Sequence, residues 1–184
     1  MKTKIHFPLL FALAACCFIL LLPLPAWAAN GKLTGDGSEA NPYQIEDYAD
    51  LKAFAKKVNS GKEMGAWAVL TNDITATDTK WVPIGDMKYN KSIKEYVYYS
   101  GVFNGQGHTI ANLNNGEYNE FYAGLFGNVE GGSVKNVGLV NSIIKNSKQY
   151  VGGIAGRLEN SMVENCFNTG GSVTGSSVYT GGIV

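Results

Sequence analysis

The chain has little of the chemistry that most often carries catalysis or cross-linking. Its 184 residues include two histidines and three cysteines. Cys16 and Cys17 lie in an apolar segment at the amino end, so Cys166 is the single thiol of the remaining chain and we expect no intrachain disulfide. His108 is likewise the single histidine beyond that segment. No loop of alternating acidic residues with a distal glutamate is present, so we expect no metal site and no cofactor.

The sequence also lacks an excess of charge of either sign. Its 15 basic residues equal its 15 acidic ones, and loss of Lys2 and Lys4 with the amino-terminal segment leaves a formal charge of −2. Nucleic acids and anionic membranes attract proteins with a basic field. Because no such field exists here, we expect no nucleic-acid partner.

Residues 1–28 have the three parts of a secretory signal peptide. A basic head precedes an apolar run over residues 5–22, and Ala26 and Ala28 supply the small residues of a cleavage site. We predict cleavage after Ala28, a secreted or cell-surface location, and no membrane span in the processed chain. Two alternatives stay open: a lipoprotein cleavage that leaves Cys16 carrying lipid, and an uncleaved anchor.

The processed chain opens with a polar lead-in and a first strand over residues 29–46, followed by a helix over 47–61. Asp47 is a favourable helix N-cap, and Gly61 supplies the left-handed residue that ends many helices. Apolar residues recur at helical spacing, at Leu51, Phe54, Ala55 and Val58. A single amphipathic helix before a β region predicts a cap over one end of the sheet.

Short extended runs that end in Asn, Asp or Gly occupy residues 62–121 and predict the first turns of a β coil. The stretch 86–100 interrupts them, so we interpret it as an insertion loop. The tyrosines of this loop and of the next turn are Tyr89, Tyr96, Tyr98, Tyr99, Tyr118 and Tyr122. Flat rings with polar tips suit contact with a sugar or a protein. Either these tyrosines bind a host glycan or protein ligand, or the loop folds back and covers the coil.

The region 122–184 contains an internal repeat with an offset of 29 residues. The positions that recur are Gly124 with Gly153 and Gly182, Gly127 with Gly156, Val134 with Val163, and Asn136 with Asn165. A fixed period of this length, filled with short β runs, predicts stacked turns of strands. The third copy is incomplete at Val184, so we expect further repeats or domains beyond that residue.

Asparagines follow what we interpret as equivalent strands of successive turns, at Asn112, Asn136 and Asn165. Stacked at one corner, their amides would bond along the column and satisfy corner backbone groups. The alternative is that they are solvated turn residues.

Several segments match the pattern of a known repeat, a Gly-Gly-Ile-Ala-Gly box followed by a turn and an Asn-Cys-aromatic-x-Thr-Gly stretch. They are 124–127 (GLFG), 150–156 (YVGGIAG), 161–170 (SMVENCFNTG) and 171–175 (GSVTG), with 35–43, 81–85 and 101–110 similar to the segments that precede such repeats. The chain thus resembles GLUG-motif proteins of bacterial surfaces over nearly all of its processed length. The resemblance implies a right-handed parallel β-helix, an all-β solenoid with one amino-terminal capping helix, and an adhesin-like role.

GLUG repeats also occur in metallopeptidases of the immunoglobulin A1 protease family, whose catalytic domain has a HExxH zinc motif. His108 has no such motif around it, so that activity does not carry over and we predict no catalytic residue. Two hypotheses stay open. The chain is a non-catalytic surface module that binds a ligand, or it is the amino-terminal region of a longer exported enzyme whose catalytic domain lies beyond residue 184.

Overall fold

The computed structural model describes residues 31–184 except 117, 119, 147 and 177. Over this range the chain winds into a parallel β-solenoid of about five turns with one helix near its amino end. The predicted all-β solenoid and its helix are confirmed. The predicted signal peptide, its cleavage after Ala28 and the lipidation alternative at Cys16 lie outside the described residues. Within the described part, no helix is both long and apolar enough to cross a membrane.

The helix, α1 (Tyr48–Asn59), begins and ends at the predicted signals. The Asp47 carboxylate accepts a hydrogen bond from the Asp50 backbone N–H at 3.0 Å, which satisfies one free donor of the first turn. Ser60 forms the C-cap, and Gly61 follows with a φ of +77°. The apolar positions named above are all buried on one face of α1.

The strands are short, as a coil with frequent corners requires. In chain order they are β1 (Tyr43–Ile45), β2 (Ala68–Leu70), β3 (Ile74–Thr75), β4 (Tyr89–Asn90), β5 (Glu95–Tyr96), β6 (Val102–Asn104), β7 (Thr109–Ala111), β8 (Tyr122–Ala123), β9 (Phe126–Glu130), β10 (Ser133–Lys135), β11 (Gly138–Val140), β12 (Ile143–Asn146), β13 (Tyr150–Val151), β14 (Ala155–Glu159), β15 (Met162–Glu164), β16 (Phe167–Thr169), β17 (Ser172–Gly175) and β18 (Tyr179–Thr180). The longest sheet runs β1-β2-β6-β10-β15, and a second runs β3-β7-β11-β16. Every pairing between turns is parallel, and the antiparallel exception among the strand pairs is the hairpin β4–β5.

The strand register confirms the 29-residue period. Val134 of β10 lies beside Val163 of β15, and the same offset sets β12 beside β17 and β13 beside β18. Between β8 and β13 the offset falls to 28, since Tyr122 pairs with Tyr150. It returns to 29 at β9 and β14, so the later turn has one more residue in the connection, within the Gly152-Gly153 pair.

The side chains that fill the core change from aromatic in the early turns to mostly aliphatic in the later turns. In the early turns, Phe54 of α1 lies with its ring centroid 5.9 Å from that of Tyr99 and 6.1 Å from that of Phe103. In the later turns most of the fully buried apolar positions are aliphatic, and Phe126 is an aromatic exception that packs on Tyr99 and Phe103. The aliphatic positions include Leu125, Val134, Val137, Leu139 and Ile154. The equivalent Val163 and Val173 are only half-buried, because the last turn is packed on one side.

The glycine box is explained by close approach rather than by unusual dihedral angles. A Cβ on Gly127 would lie 2.5 Å from the Gly85 carbonyl oxygen, and a Cβ on Gly153 would lie 2.5 Å from the Gly182 carbonyl oxygen. The backbones of neighbouring turns therefore touch at these positions, and any side chain would push them apart. Gly182 itself has open space around it, so the structure gives no steric reason for glycine there.

The asparagine column forms, but with a different first member. Asn165 Nδ2 donates to Asn136 Oδ1 at 3.1 Å, and Asn136 Nδ2 donates to Asn104 Oδ1 at 2.9 Å. Asn136 and Asn165 have φ values of 55° and 50°, the left-handed conformation that asparagine tolerates. The predicted column is confirmed for these two residues.

The placement of Asn112 in this column is wrong. Asn112 follows β7 and lies at the next corner, where its N–H donates to the Val140 carbonyl oxygen at 2.8 Å. Four residues separate β6 from β7, whereas two separate β10 from β11. The 29-residue offset pairs Asn112 with Asn141, which follows β11 at that next corner. Asn104 takes its place in the column although it lies 32 residues before Asn136, because the corner between β6 and β7 is longer.

The insertion loop predicted over 86–100 is smaller than expected. Only its middle leaves the coil, as the hairpin β4–β5. Val97 and Tyr99 return to the core with 1% and 0% exposure, and Tyr99 forms a parallel bridge with Val129. This tyrosine-rich segment therefore consists of an exposed hairpin followed by a buried, strand-like end.

Candidate functional site

The predicted tyrosines do not form one cluster. Tyr89 and Tyr96 project from the hairpin with 52% and 55% exposure. They are cross-strand partners, and their ring centroids lie 5.3 Å apart in an edge-on arrangement. Tyr98 is half-buried on the return segment. The two hairpin rings thus form an exposed aromatic surface outside the coil. A ligand can contact the parts of the rings that do not touch each other.

Tyr99 is a core residue, and its prediction as a ligand-binding residue is wrong. Its hydroxyl donates to the Ala66 carbonyl oxygen at 2.8 Å, and its ring centroid lies 5.1 Å from that of Phe126. Burial raises the pKa of its phenol well above the ordinary value. A side chain with no exposed surface cannot touch an external ligand, and Tyr99 instead anchors the hairpin to the solenoid.

Tyr118 covers the base of the hairpin segment. It is half-buried, its hydroxyl lies 3.4 Å from the Asp86 carbonyl oxygen, and the Lys88 ammonium lies 5.8 Å from its ring centroid. Burial is the main cause of the raised pKa of its phenol, and the Asp86 and Glu120 carboxylates add to it. These contacts favour the covering role over ligand contact for this residue.

Tyr122 belongs to an aromatic ladder that sequence reasoning missed. The rings of Tyr122 and Tyr150 stack with centroids 5.1 Å apart at 13°, and those of Tyr150 and Tyr179 stack 4.9 Å apart at 10°. The pairing of β8 with β13 and of β13 with β18 places one tyrosine above another. The recurrence of tyrosine at offsets of 28 and 29 was the sequence pattern that could have revealed it. Each inner ring face is covered by its neighbour, so the ladder offers mainly ring edges to solvent.

A cleft opens beside the hairpin, between α1 and the segment 80–86. Its volume is about 440 Å³. The residues that line it are Lys52, Ala55, Lys56, Asn59, Ser60, Lys80, Trp81, Val82 and Asp86. No sequence pattern predicted this cleft, because its two walls come from different elements.

Asn59 holds the two walls of the cleft together. Its Nδ2 donates to the Pro83 carbonyl oxygen at 2.9 Å, and its Oδ1 accepts from the Gly85 N–H at 2.8 Å. Trp81 is also held in place, since it is 1% exposed and donates from Nε1 to the Gly124 carbonyl oxygen at 3.1 Å. Both side chains have their polar groups satisfied, so the cleft is built into the fold.

The electrostatics of the cleft are mixed. Lys52 is paired with Asp78 at 2.9 Å. Within the described residues, Lys56 and Lys80 form no ion pair. Asp86 lies in the wall with a side chain 7% exposed, and burial raises the pKa of its carboxyl despite the Lys88 ammonium 3.7 Å away. The cleft is thus lined by two lysines that form no ion pair among the described residues, by one buried aspartate and by apolar residues.

The hairpin and the cleft share one face of the molecule. Asn90 of β4 donates from Nδ2 to the Ser60 carbonyl oxygen at 2.6 Å, which ties the hairpin to the end of α1. A Cβ on Gly61 would lie 2.6 Å from the Ile93 Cδ1, so the hairpin turn packs closely there. We call the hairpin tyrosines and the adjoining cleft together the hairpin face.

His108 has a structural environment. Its Nδ1 lies 3.3 Å from Asp73 Oδ1, which also accepts the Thr109 backbone N–H at 2.8 Å. That backbone hydrogen bond is the main cause of the lowered pKa of Asp73. Among the residues that the structure describes, no three histidine, cysteine or carboxylate side chains come together in a way that could hold a metal ion.

Comparison with known proteins supports the repeat and the fold. Residues 147–174 match the GLUG motif. The chain is 32% identical over 122 residues to Halomucin of Haloquadratum walsbyi, an alignment that spans 64% of this chain and 1% of Halomucin. A crystal structure from Bacteroides ovatus, described as a "putative immunoglobulin A1 protease", is similar with a TM-score of 0.56 and 23% identity, over 74% of this chain and 40% of that one.

These matches confirm the resemblance to GLUG-repeat proteins, and the Bacteroides structure shares the fold. The chain spans only a small part of Halomucin and less than half of the Bacteroides protein.

Proposed function

We propose that the chain is a non-catalytic, exported β-solenoid module that binds an extracellular ligand through its hairpin face. The leader pattern of residues 1–28 supports export, and the GLUG repeat supports a place at or beyond the cell surface. A glycan or a protein of a host or of the environment is the expected partner. The adhesin-like role is the function that this geometry supports best.

The observation that carries this proposal is the exposed pair Tyr89 and Tyr96 on the hairpin. Most turns of the solenoid are joined by tight corners, whereas here the chain leaves the coil to place two aromatic rings in solvent. Val97 and Tyr99 fix the base of the hairpin in the core. Aromatic side chains on a loop held by a rigid scaffold are typical of binding surfaces.

A double variant tests the hairpin directly. Tyr89→Ala with Tyr96→Ala is expected to abolish binding of the purified processed chain to an array of immobilised glycans and to host cells. Both rings are more than half exposed, so the melting temperature should change little. Tyr179→Ala, at 57% exposure on the last turn, is the matched control and should keep binding. Retained binding in the hairpin variant would refute the proposed surface.

A second candidate function is supported by the Bacteroides structure. Because that protein is described as a protease and this chain covers 40% of it, the solenoid could serve as the amino-terminal region of a longer exported enzyme. Sequencing the gene beyond the codon for Val184 distinguishes the two. A HExxH or other hydrolase domain would favour the enzyme, and more repeats with a surface-attachment signal would favour the binding module.

Export itself is tested by the mature amino terminus. Mass spectrometry of the secreted chain should show a first residue of Ala29. A chain that begins at a lipid-modified Cys16 would replace that prediction with the lipoprotein alternative, and a chain that retains Met1 in the membrane fraction would contradict both.

A further inference from the structure

We propose that the cleft between α1 and the segment 80–86 binds a single anionic sugar residue. The inference rests on the proposed binding function and specifies its ligand, since the cleft adjoins the hairpin tyrosines on the same face. A volume of about 440 Å³ matches a site for one small organic ligand rather than a peptide or a nucleic acid.

The rim of the cleft supplies the charge for an anion. Lys56 comes from α1 and Lys80 from the opposing segment, so each wall of the cleft contributes one lysine. Both side chains lie in exposed positions, and in the described part of the chain neither has an ion-pair partner.

The helix terminus does not account for both lysines. A lysine in the last turn complements the helix dipole, and Lys56 could serve that purpose alone. Lys57 occupies the same turn, yet its ammonium is bound to Glu63 at 2.8 Å and to the Tyr43 hydroxyl at 3.2 Å. Lys80 is not on a helix at all. Neither the helix dipole nor an ion pair among the described residues therefore accounts for Lys80.

The Asp86 carboxylate narrows the ligand class. A simple inorganic anion would be repelled by this buried carboxylate, whereas a sugar can donate a hydroxyl hydrogen bond to it. Asp86 accepts from the Lys88 N–H at 3.3 Å through Oδ1, and Oδ2 faces the Lys88 ammonium at 3.7 Å. A carboxylate has about four acceptor positions, so these contacts leave acceptor capacity. A ligand with both hydroxyls and an anionic group can bind Asp86 through a hydroxyl and the two lysines through its anionic group.

The apolar surface of the cleft suits the C–H face of a sugar ring. Val82 of the segment 80–86 is 40% exposed, and it lines the cleft together with the small Ala55 of α1. The hydrogen bonds of Asn59 and Trp81 hold both walls in place, so little ordering is needed when a ligand binds.

The test uses three small probes and the full processed chain. Isothermal titration calorimetry measures methyl β-glucuronide, glucose 6-sulfate and methyl β-glucoside. The proposal requires that at least one anionic probe binds and that the neutral glucoside binds at least about tenfold more weakly, as expected for the loss of charge-assisted hydrogen bonds. A preference between the first two distinguishes a carboxylated from a sulfated sugar. Equal binding of all three probes, or no binding of any, would overturn it.

Lysine variants locate the site. Lys56→Gln with Lys80→Gln should weaken the anionic probe at least about tenfold, because both charge-assisted hydrogen bonds are lost. Lys91→Gln with Lys94→Gln, on the exposed turn of the hairpin, removes the same charge away from the cleft and should leave the affinity unchanged. Equal loss in both variants would show a nonspecific charge effect and overturn the site.

Failure of this inference can be separated from failure of the proposed function. If the hairpin variant Tyr89→Ala with Tyr96→Ala loses adhesion while the unaltered chain binds no anionic probe, the cleft is wrong and the binding module stands. If neither variant changes adhesion and the unaltered chain binds no anionic probe, both are wrong.

Discussion

The early and late turns of the solenoid solve the same packing problem in different ways. The late turns repeat at 29 residues, with mostly aliphatic residues inside and ladders of asparagine and tyrosine along the axis. The early turns break that period, fill the interior with Phe54, Tyr99 and Phe103, and carry both the helix and the hairpin. The difference teaches that the regular turns form a uniform scaffold, while the departures from the period form the surface on which we propose that a ligand binds.

The largest expected effect lies in the aromatic core of the early turns. Phe103→Ala removes a fully buried ring that packs on Phe54 and Phe126, so we expect a loss of about 3–5 kcal/mol in the free energy of unfolding. Val173→Ala in the half-buried last turn should lose only about 1 kcal/mol. Urea denaturation measures both. Equal losses of unfolding free energy in the two variants would contradict the difference in packing between the early and the late turns.

The asparagine ladder gives the next effect. Asn136→Ala loses two side-chain hydrogen bonds and places alanine, which tolerates the left-handed conformation less well than asparagine, at a φ of 55°, for a loss of about 1–3 kcal/mol. Asn136→Gly is the control, since it tolerates the dihedral angle and removes only the hydrogen bonds. Its loss should be clearly smaller. If the two variants unfold at the same urea concentration, the left-handed backbone is not what asparagine supports there.

The tyrosine ladder should give a smaller effect. Tyr150 stacks on Tyr122 and on Tyr179, and stacked aromatic pairs contribute about 0.5–1.5 kcal/mol each beyond their buried area. Tyr150→Leu keeps apolar area and removes the stacking, so it should lower the free energy of unfolding by about 1 kcal/mol. Tyr179→Leu breaks one pair and should lose about half as much. A loss that is no greater for Tyr150 would show that stacking does not stabilise the column.

Two aspartates of the early turns should respond to pH with opposite signs. Burial raises the pKa of Asp86, so the fold favours its protonated form, and this contribution is present at low pH and is lost as pH rises through the folded pKa. The hydrogen bond from Lys52 lowers the pKa of Asp78, so its contribution is present above the ordinary value of 3.8 and is lost as pH falls through the folded pKa.

Melting temperatures from pH 3 to pH 8 measure these small effects. Relative to the parent protein, Asp86→Asn should be more stable at neutral pH, and this advantage should shrink as the pH falls toward 3.8. Asp78→Asn should be less stable at neutral pH, with a deficit that shrinks below that value. A common sign for the two variants would contradict the assigned environments.

The sequence correctly predicted the features that depend on residues close together in the chain or on the repeat period. Asp47 and Gly61 bound the helix because capping acts within a few residues, and the offset of Val134 and Val163 gave the strand register directly. Asn112 was assigned to the wrong corner although the 29-residue offset pairs it with Asn141. Asn104 was missed because the corner after β6 is two residues longer, so it lies 32 residues before Asn136 and outside the repeat period.

The candidate site is formed by contacts between residues that are far apart in the sequence, so sequence patterns did not predict it. Tyr99 shares its tyrosine-rich surroundings with Tyr96, yet one is buried and the other is half exposed, because the chain re-enters the coil between them. The cleft joins α1 to the segment 80–86 through Asn59, and its lysines are ordinary surface residues until those walls meet. Burial and convergence of this kind follow from tertiary packing.

The most direct test of the central claim compares two multiple variants on the same glycan array and in the same thermal melt. One alters the hairpin face, with Tyr89→Ala, Tyr96→Ala, Lys56→Gln and Lys80→Gln. The other alters the regular turns, with Tyr122→Leu, Tyr150→Leu and Tyr179→Leu. We predict that the first loses ligand binding with little change in melting temperature, and that the second keeps binding while melting at a lower temperature. Binding lost only in the second would contradict the division between scaffold and binding surface.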